Sequence, residues 1–191
     1  MRNHILPHLY PNHLHTHPSS AGVIGYEIYK HLPSVDVCIV PCGGGGLISG
    51  VSGYLKAVKP SVQMIGAQPQ ASPQMVESVK AGRIVNLPTL DTLSNGTAGG
   101  IEEGSITFPY CQKYVDEWEA VTETEISTAV YDVLDRHHKV IEGAAGCGIA
   151  TVHRKAKQLT GKTVVVVVCG SNISPAALSK IIADNAPVGY I

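Results

Sequence analysis

The 191-residue chain is 44% hydrophobic and 15% charged with a formal net charge of −1, long enough to bury the core of one domain or one and a fraction. So balanced a charge gives no field to draw nucleic acid or an anionic membrane, and suits a small neutral or zwitterionic ligand. The longest apolar run, Val164 to Cys169, is too short to span a bilayer and the first residues lack the apolar core of a signal peptide, so a cytoplasmic protein is expected.

In chain order, residues 1–20 form a lead rich in histidine (His4, His8, His13, His15, His17) and proline (Pro7, Pro11, Pro18). The H-x-H-x-H of residues 13–17 carries imidazoles that suit transition metals, yet no acid or thiolate lies beside it. The lead therefore reads as solvated and poorly ordered, with no metal. Asp36 to Cys42 is apolar and β-branched, bounded by Pro33-Ser34 and by four consecutive glycines, which predicts a buried strand. Leu47, Val51, Leu55 and Val58 then recur at helical spacing up to Pro60, and residues 62–67 form a second apolar strand. Strand, glycine loop, helix and strand make a βαβ unit, hence a parallel sheet.

Ser72-Pro73 predicts an N-cap followed by proline in the first helical position, with Met75, Val76 and Val79 as the apolar face and Gly82 as the stop. Residues 83–112 read as a loop rich in glycine and threonine, centred on Asn95 to Gly100, of a kind that lines a site. Thr122 to Glu125 is a capping box ahead of Ile126, Val130, Val133 and Leu134. A further helix begins near Gly143-Ala144-Ala145. Thr163 to Cys169 is almost pure valine, which predicts a strand in the middle of a parallel sheet covered on both faces. Cys169-Gly170-Ser171-Asn172 follows at its carboxyl end, where open α/β sheets place ligands. The five cysteines (Cys38, Cys42, Cys111, Cys147, Cys169) are odd in number and never spaced as C-x-x-C, so buried thiols are expected.

The glycines Gly43 to Gly46 leave backbone N–H groups free to converge on one anion, and the helix that follows adds its positive amino end; together these predict a phosphate site. No lysine follows Gly46 before Lys56, which excludes a nucleoside-triphosphate loop. The dinucleotide fingerprint fails as well, because Ile48 and Ser49 stand where its third glycine belongs and the second strand ends in Gln68 rather than an acid. A monophosphate with a compact head remains.

Four blocks, VDVCIVPCGGGGLISGV (35–51), NGTAGG (95–100), HHKVIEGAAGCGIA (137–150) and VVVVVCGSNIS (164–174), resemble the pyridoxal-phosphate-dependent serine/threonine dehydratase family of the tryptophan synthase β-like fold, which includes serine racemases. The resemblance runs from about Gly22 to Ala183. It implies an α/β architecture, a three-layer, open, mostly parallel sheet with helices on both faces, with residues 21–191 as a partial large domain. It implies pyridoxal 5'-phosphate as cofactor, its phosphate on the amides of Gly43, Gly44, Gly45, Gly46 and Leu47. Cys169 matches the position facing the pyridine nitrogen, Asn172 lies beside the ring, and Gly96, Thr97 and Ala98 match a loop near cofactor and substrate. Glu142 matches a glutamate near the active site, and equally suits a plain helix-start acid. A thiol at Cys169, with an ordinary pKa of ~8.5, stays protonated at neutral pH and donates a hydrogen bond to the ring nitrogen without charging it. The alternative for Cys169 is a buried small hydrophobe ending a strand.

The reaction so implied is dehydration and deamination of a β-hydroxy amino acid, threonine or serine, to a 2-oxo acid and ammonia. The family's S-x-K-x-R motif, which holds the Schiff-base lysine, and its S-G-N-H loop are both absent here; the ten lysines lie in other contexts, so the catalytic lysine is unknown and the chain alone is not expected to turn over efficiently. The sequence is similar to the second half of a catalytic domain, as in a fragment, a truncated form or a split enzyme. The alternative is a non-catalytic relic that keeps the fold for oligomerisation or regulation. Gln68, Ser72 and Gln74 stand where many relatives place cation-ligating acids, so no metal is expected. An unpaired sheet edge favours a homodimer or higher homo-oligomer.

Overall fold

The computed structural model describes residues 18–187. Most of the expected histidine-rich lead, residues 1–17 with the H-x-H-x-H motif, lies outside the described residues. The elements run α1 (Pro18–His31), β1 (Val37–Pro41), α2 (Gly46–Val58), β2 (Gln63–Pro69), α3 (Gln74–Ala81), a 3-10 turn (Asn95–Thr97), α4 (Thr107–Tyr114), β3 (Glu117–Val121), α5 (Glu123–His137), α6 (Gly143–Leu159), β4 (Val164–Val166) and α7 (Pro175–Asn185). The four strands form one sheet in the order β3-β2-β1-β4, every pair parallel.

Strand alternation builds the three layers. On β1, Cys38 and Val40 point to the face covered by Ile48, Val51 and Leu55 of α2, Met75 of α3 and Cys111 of α4, with Ile24 and Ile28 of α1 packed behind. Val37 and Ile39 point the other way, into Ile126 and Val130 of α5, Ala145, Cys147 and Ala150 of α6, and Ile181 of α7. Both faces of β1 and β2 are buried, which is why their sequences are continuous apolar runs. The capping box forms as expected: the Glu125 amide donates to Thr122 Oγ1 (3.3 Å) and the Thr122 amide to Glu125 Oε2 (2.7 Å).

Three expectations need correction, and one strand has no forerunner among them. The valine run forms a three-residue strand at the end of the sheet rather than in its middle, and Val168 beyond it is 53% exposed; its pattern is that of a strand buried on both faces, but β1 is its one strand neighbour among the described residues. Ser72 does not cap α3. Its hydroxyl accepts the Gly99 amide instead (3.3 Å), while Pro73 occupies the cap position without a side-chain bond. The expected loop 83–112 contains the start of a helix, α4, which no capping signal announces and which forms because Phe108 and Cys111 bury one side of it. Strand β3 was not expected at all; Glu117 and Glu119 hide it, being polar in sequence yet neutralised by Lys155 and Arg154 of α6.

Candidate functional site

Strands β1 and β4 run parallel with Ile39 opposite Val166, and both chains leave the sheet at the same carboxyl edge. The glycine loop follows β1 there, and Cys169 to Asn172 follow β4. What gives the loop its shape is that each carbonyl from Cys42 to Gly46 has a donor. Gln68 Nε2 donates to Cys42 O (3.0 Å), the Cys42 thiol to Gly43 O (3.3 Å), Thr107 Oγ1 to Gly44 O (2.5 Å), the Ser49 amide to Gly45 O (2.9 Å) and Ser49 Oγ to Gly46 O (3.1 Å). In a planar trans peptide the carbonyl and the next N–H point in opposite directions, so tying the oxygens aims the amides. Among the described residues, the amides of Gly43, Gly44, Gly46 and Leu47 donate to no protein acceptor, and Gly46 opens α2, whose amino end is electropositive.

The two central glycines differ. Gly45 sits at φ 89°, and a Cβ there would meet Met75 Cε at 2.8 Å and both Cys111 Sγ and Thr107 Oγ1 at 3.0 Å. Gly44 is exposed, and a Cβ on it would meet nothing within 4 Å. The loop is thus packed from beneath at Gly45 and open above at Gly44, the shape of an anion nest.

The remaining predicted residues meet this loop through a continuous set of close approaches. A Cβ on Gly43 would lie 3.2 Å from Thr97 Cα, and one on Gly96 would lie 3.3 Å from Glu142 Oε1. Thr97 is buried, its hydroxyl on Ser94 Oγ and Ser94 O, while Ala98 closes the 3-10 turn by its amide to Asn95 O (3.3 Å). Glu142 donates its amide to Gly170 O (3.1 Å) and takes the Asn172 amide on Oε2 (2.9 Å). It holds the N-cap position of α6, but its side chain makes no cap bond and instead ties down the segment that follows β4. Cys38, Cys42, Cys111 and Cys147 are buried, whereas Cys169 is exposed, so the reading of Cys169 as a buried strand-end hydrophobe fails. Partial burial first, and the Glu142 carboxylate second, raise the Cys169 thiol pKa above its ordinary value. Burial and then Cys111 push the Cys42 thiol well up, consistent with its S–H donating to Gly43 O.

Sequence reasoning missed Gln68, Thr107, Ser49 and Ser94, which shape the loops from outside. Gln68 had one legible sign, a polar residue at the carboxyl end of an apolar strand; Thr107 had none. Eight of the ten lysines engage groups away from the loop: Lys30 the Tyr26 ring, Lys56 Asp116, Lys59 Pro33 O, Lys80 Glu77, Lys113 the Tyr114 ring, Lys155 Glu117 and Glu119, Lys162 Gln63 and Lys180 Asp184.

A family model described as pyridoxal-phosphate dependent enzyme matches residues 5–170. The chain belongs to the pyridoxal-phosphate-dependent enzyme family. It is 42% identical over 161 residues to the L-threonine ammonia-lyase of Thermotoga maritima, covering 84% of this chain and 40% of that protein. The L-threonine ammonia-lyase of Geobacter sulfurreducens is 37% identical over 162 residues, again with 40% of its length covered. Among solved structures, the processed form of threonine deaminase isoform 2 from Solanum lycopersicum matches with a TM-score of 0.81 at 30% identity, over 87% of this chain and 49% of that one. Maize serine racemase matches with a TM-score of 0.78 at 26% identity, over 87% and 52%. The chain spans about half of these structures and less than half of the curated relatives.

Proposed function

We propose that residues 21–191 form the phosphate and ring-nitrogen side of a pyridoxal-phosphate-dependent ammonia-lyase for a β-hydroxy amino acid, threonine or serine, yielding a 2-oxo acid and ammonia. The observation that carries this reading is the glycine loop, with its carbonyls tied and its amides free, in contact through Thr97, Gly96 and Glu142 with the strand end bearing Cys169 and Asn172. The fit to the cofactor is good at both ends: an open nest of amides for a phosphate dianion, and a protonated thiol for a neutral pyridine nitrogen. When bound, pyridoxal phosphate draws electrons from the substrate α-carbon so that the α-proton and then the β-hydroxyl can leave.

Gly43, Gly44, Gly46 and Leu47 would bind the phosphate through N–H donors, with Gly45 shaping the turn. Cys169 would hold its proton on Sγ and donate it as a hydrogen bond, leaving the ring uncharged. Partial burial first and the Glu142 carboxylate second favour that protonated form, and Glu142, by taking the Asn172 amide, would hold Asn172 beside the ring. Gly96, Thr97 and Ala98 would border the substrate. Gln68, Ser72 and Gln74 have their polar atoms committed to protein partners, which supports a site that takes no divalent cation beside β2. The position of β4 at one end of the described sheet, with β1 as its one strand neighbour there, supports a homodimer or higher homo-oligomer, and no described helix is long and apolar enough to cross a membrane, in keeping with a cytoplasmic protein.

The lysine that completes the chemistry would come from outside this sequence. Borohydride reduction of the protein with pyridoxal phosphate, followed by peptide mass mapping, tests the point. Phosphate-dependent binding without a modified lysine in this sequence is expected. Binding no tighter for pyridoxal phosphate than for pyridoxal would refute the cradle, and efficient conversion of threonine or serine by the chain alone would refute the incomplete-site reading.

A further inference from the structure

Resting on the reading of the glycine loop as a phosphate cradle, we propose that Gln68 is a positioning residue that aims the first amide of the cradle and ties it to the start of α3. Gln68 is fully buried at the carboxyl end of β2. The backbone ladder between β1 and β2 ends where the Cys42 amide donates to Ala67 O (2.9 Å). One residue later the side chain continues it: Gln68 Nε2 donates to Cys42 O (3.0 Å), while Oε1 accepts the amide of Val76 in the first turn of α3 (2.9 Å). A carboxamide of this length supplies one donor and one acceptor at once without charge at any pH; a glutamate does so only while protonated and accepts twice when ionised, and a methionine donates nothing.

Cys42 O and Gly43 N–H share one planar peptide, so the bond from Gln68 fixes the direction of an amide that has no partner among the described residues. Untethered, a glycine-glycine stretch would sample many orientations, and that freedom would have to be given up on binding. The same side chain reaches the far end of the loop, because α3 carries Met75, whose Cε would lie 2.8 Å from a Cβ on Gly45. The charged and titratable groups of the surrounding elements leave Gln68 alone. The Cys42 thiol of β1 stays protonated, Cys111 faces it from α4, Glu77 and Lys80 of α3 pair with each other (2.8 Å), and β3 turns Glu117 and Glu119 toward Arg154 and Lys155.

The test is Gln68→Glu, with affinities for pyridoxal phosphate and for pyridoxal measured by calorimetry from pH 5 to pH 8. Each is expressed relative to the unaltered protein at the same pH, which cancels the ester's own ionisation. An ionised glutamate opposes Cys42 O, whereas the neutral acid donates to it as the amide does. The variant should bind pyridoxal phosphate about tenfold more weakly at the alkaline end and approach parity at the acid end, with pyridoxal unaffected throughout. A ratio that stays flat with pH overturns the proposal. Should Gln68→Glu fail to fold, Gln68→Met carries the test: a loss of about tenfold for the phosphate ester, independent of pH and absent for pyridoxal, is expected, and unchanged ester affinity overturns it. If the unaltered protein does not prefer the ester over pyridoxal, the cradle reading falls, and this inference with it.

Discussion

Gly44 and Gly45 are adjacent, both lack a side chain, and should respond oppositely to gaining one. At Gly45 an added methyl group meets Met75 Cε at 2.8 Å, Cys111 Sγ at 3.0 Å and Thr107 Oγ1 at 3.0 Å, on a backbone at φ 89°. The left-handed conformation costs an L-residue about 1–2 kcal/mol. Forcing the methyl into a filled space adds about 1–3 kcal/mol. Gly45→Ala is therefore expected to lower stability by about 2–5 kcal/mol, a fall in Tm of about 4–20 °C for a chain of this size. At Gly44 a side chain enters open space, so Gly44→Val should change stability by no more than about 0.5 kcal/mol. That space is the one assigned to the phosphate, so Gly44→Val should weaken pyridoxal phosphate at least tenfold, about 1.4 kcal/mol, while sparing pyridoxal. Urea denaturation and calorimetric titration on the two variants separate the effects. Gly44→Val binding the ester at full strength, or Gly45→Ala folding as stably as the parent, would refute the loop geometry.

Cys169 should be the cysteine that iodoacetamide modifies in the native protein, slowly at neutral pH because its pKa is raised, and Glu142→Gln should shift the rate profile to lower pH by removing the neighbouring negative charge. The Arg154 guanidinium holds the Glu125 carboxyl at about 2 against an ordinary 4.5, helped by Thr122. A depressed carboxylate pKa contributes stability that is complete above the ordinary value and lost as pH falls through the folded one. Native stability should thus decline between pH 4.5 and about 2, and Arg154→Met should flatten that decline in acid denaturation followed by circular dichroism. A Cβ on Gly66 would strike the Trp118 ring, 2.5 Å from Cε3, so Gly66→Ala should cost about 1–3 kcal/mol and Trp118→Val should relieve part of the loss; additive effects in the double variant would contradict the contact.

The parts of this fold that could be read from the chain are those where one physical demand dominates a short segment. The β1 run, the glycines after it, the α2 periodicity and the Thr122–Glu125 capping box each express one such demand, and all appear where expected. The parts that could not be read depend on a distant partner. Glu117 and Glu119 look incompatible with a sheet until Lys155 and Arg154 arrive from a helix nearly forty residues on. Helix α4 has no capping signal because its hold on the fold is Phe108 and Cys111 beneath it. The site divides in the same way: Gly43 to Leu47, Cys169 and Glu142 stand in recognisable motifs, whereas Gln68 and Thr107, which orient the loop, are single polar residues with no motif of their own.

The donors between Gly43 and Leu47 are all main-chain amides, and amides do not titrate in water near neutrality. Grip on a monoester should therefore track only the ester's second ionisation, strengthening as the dianion forms and then reaching a plateau, with no later loss of the kind that deprotonating lysines would cause. Added salt should likewise compete gently, since fixed dipoles release no bound counterions when the ligand arrives.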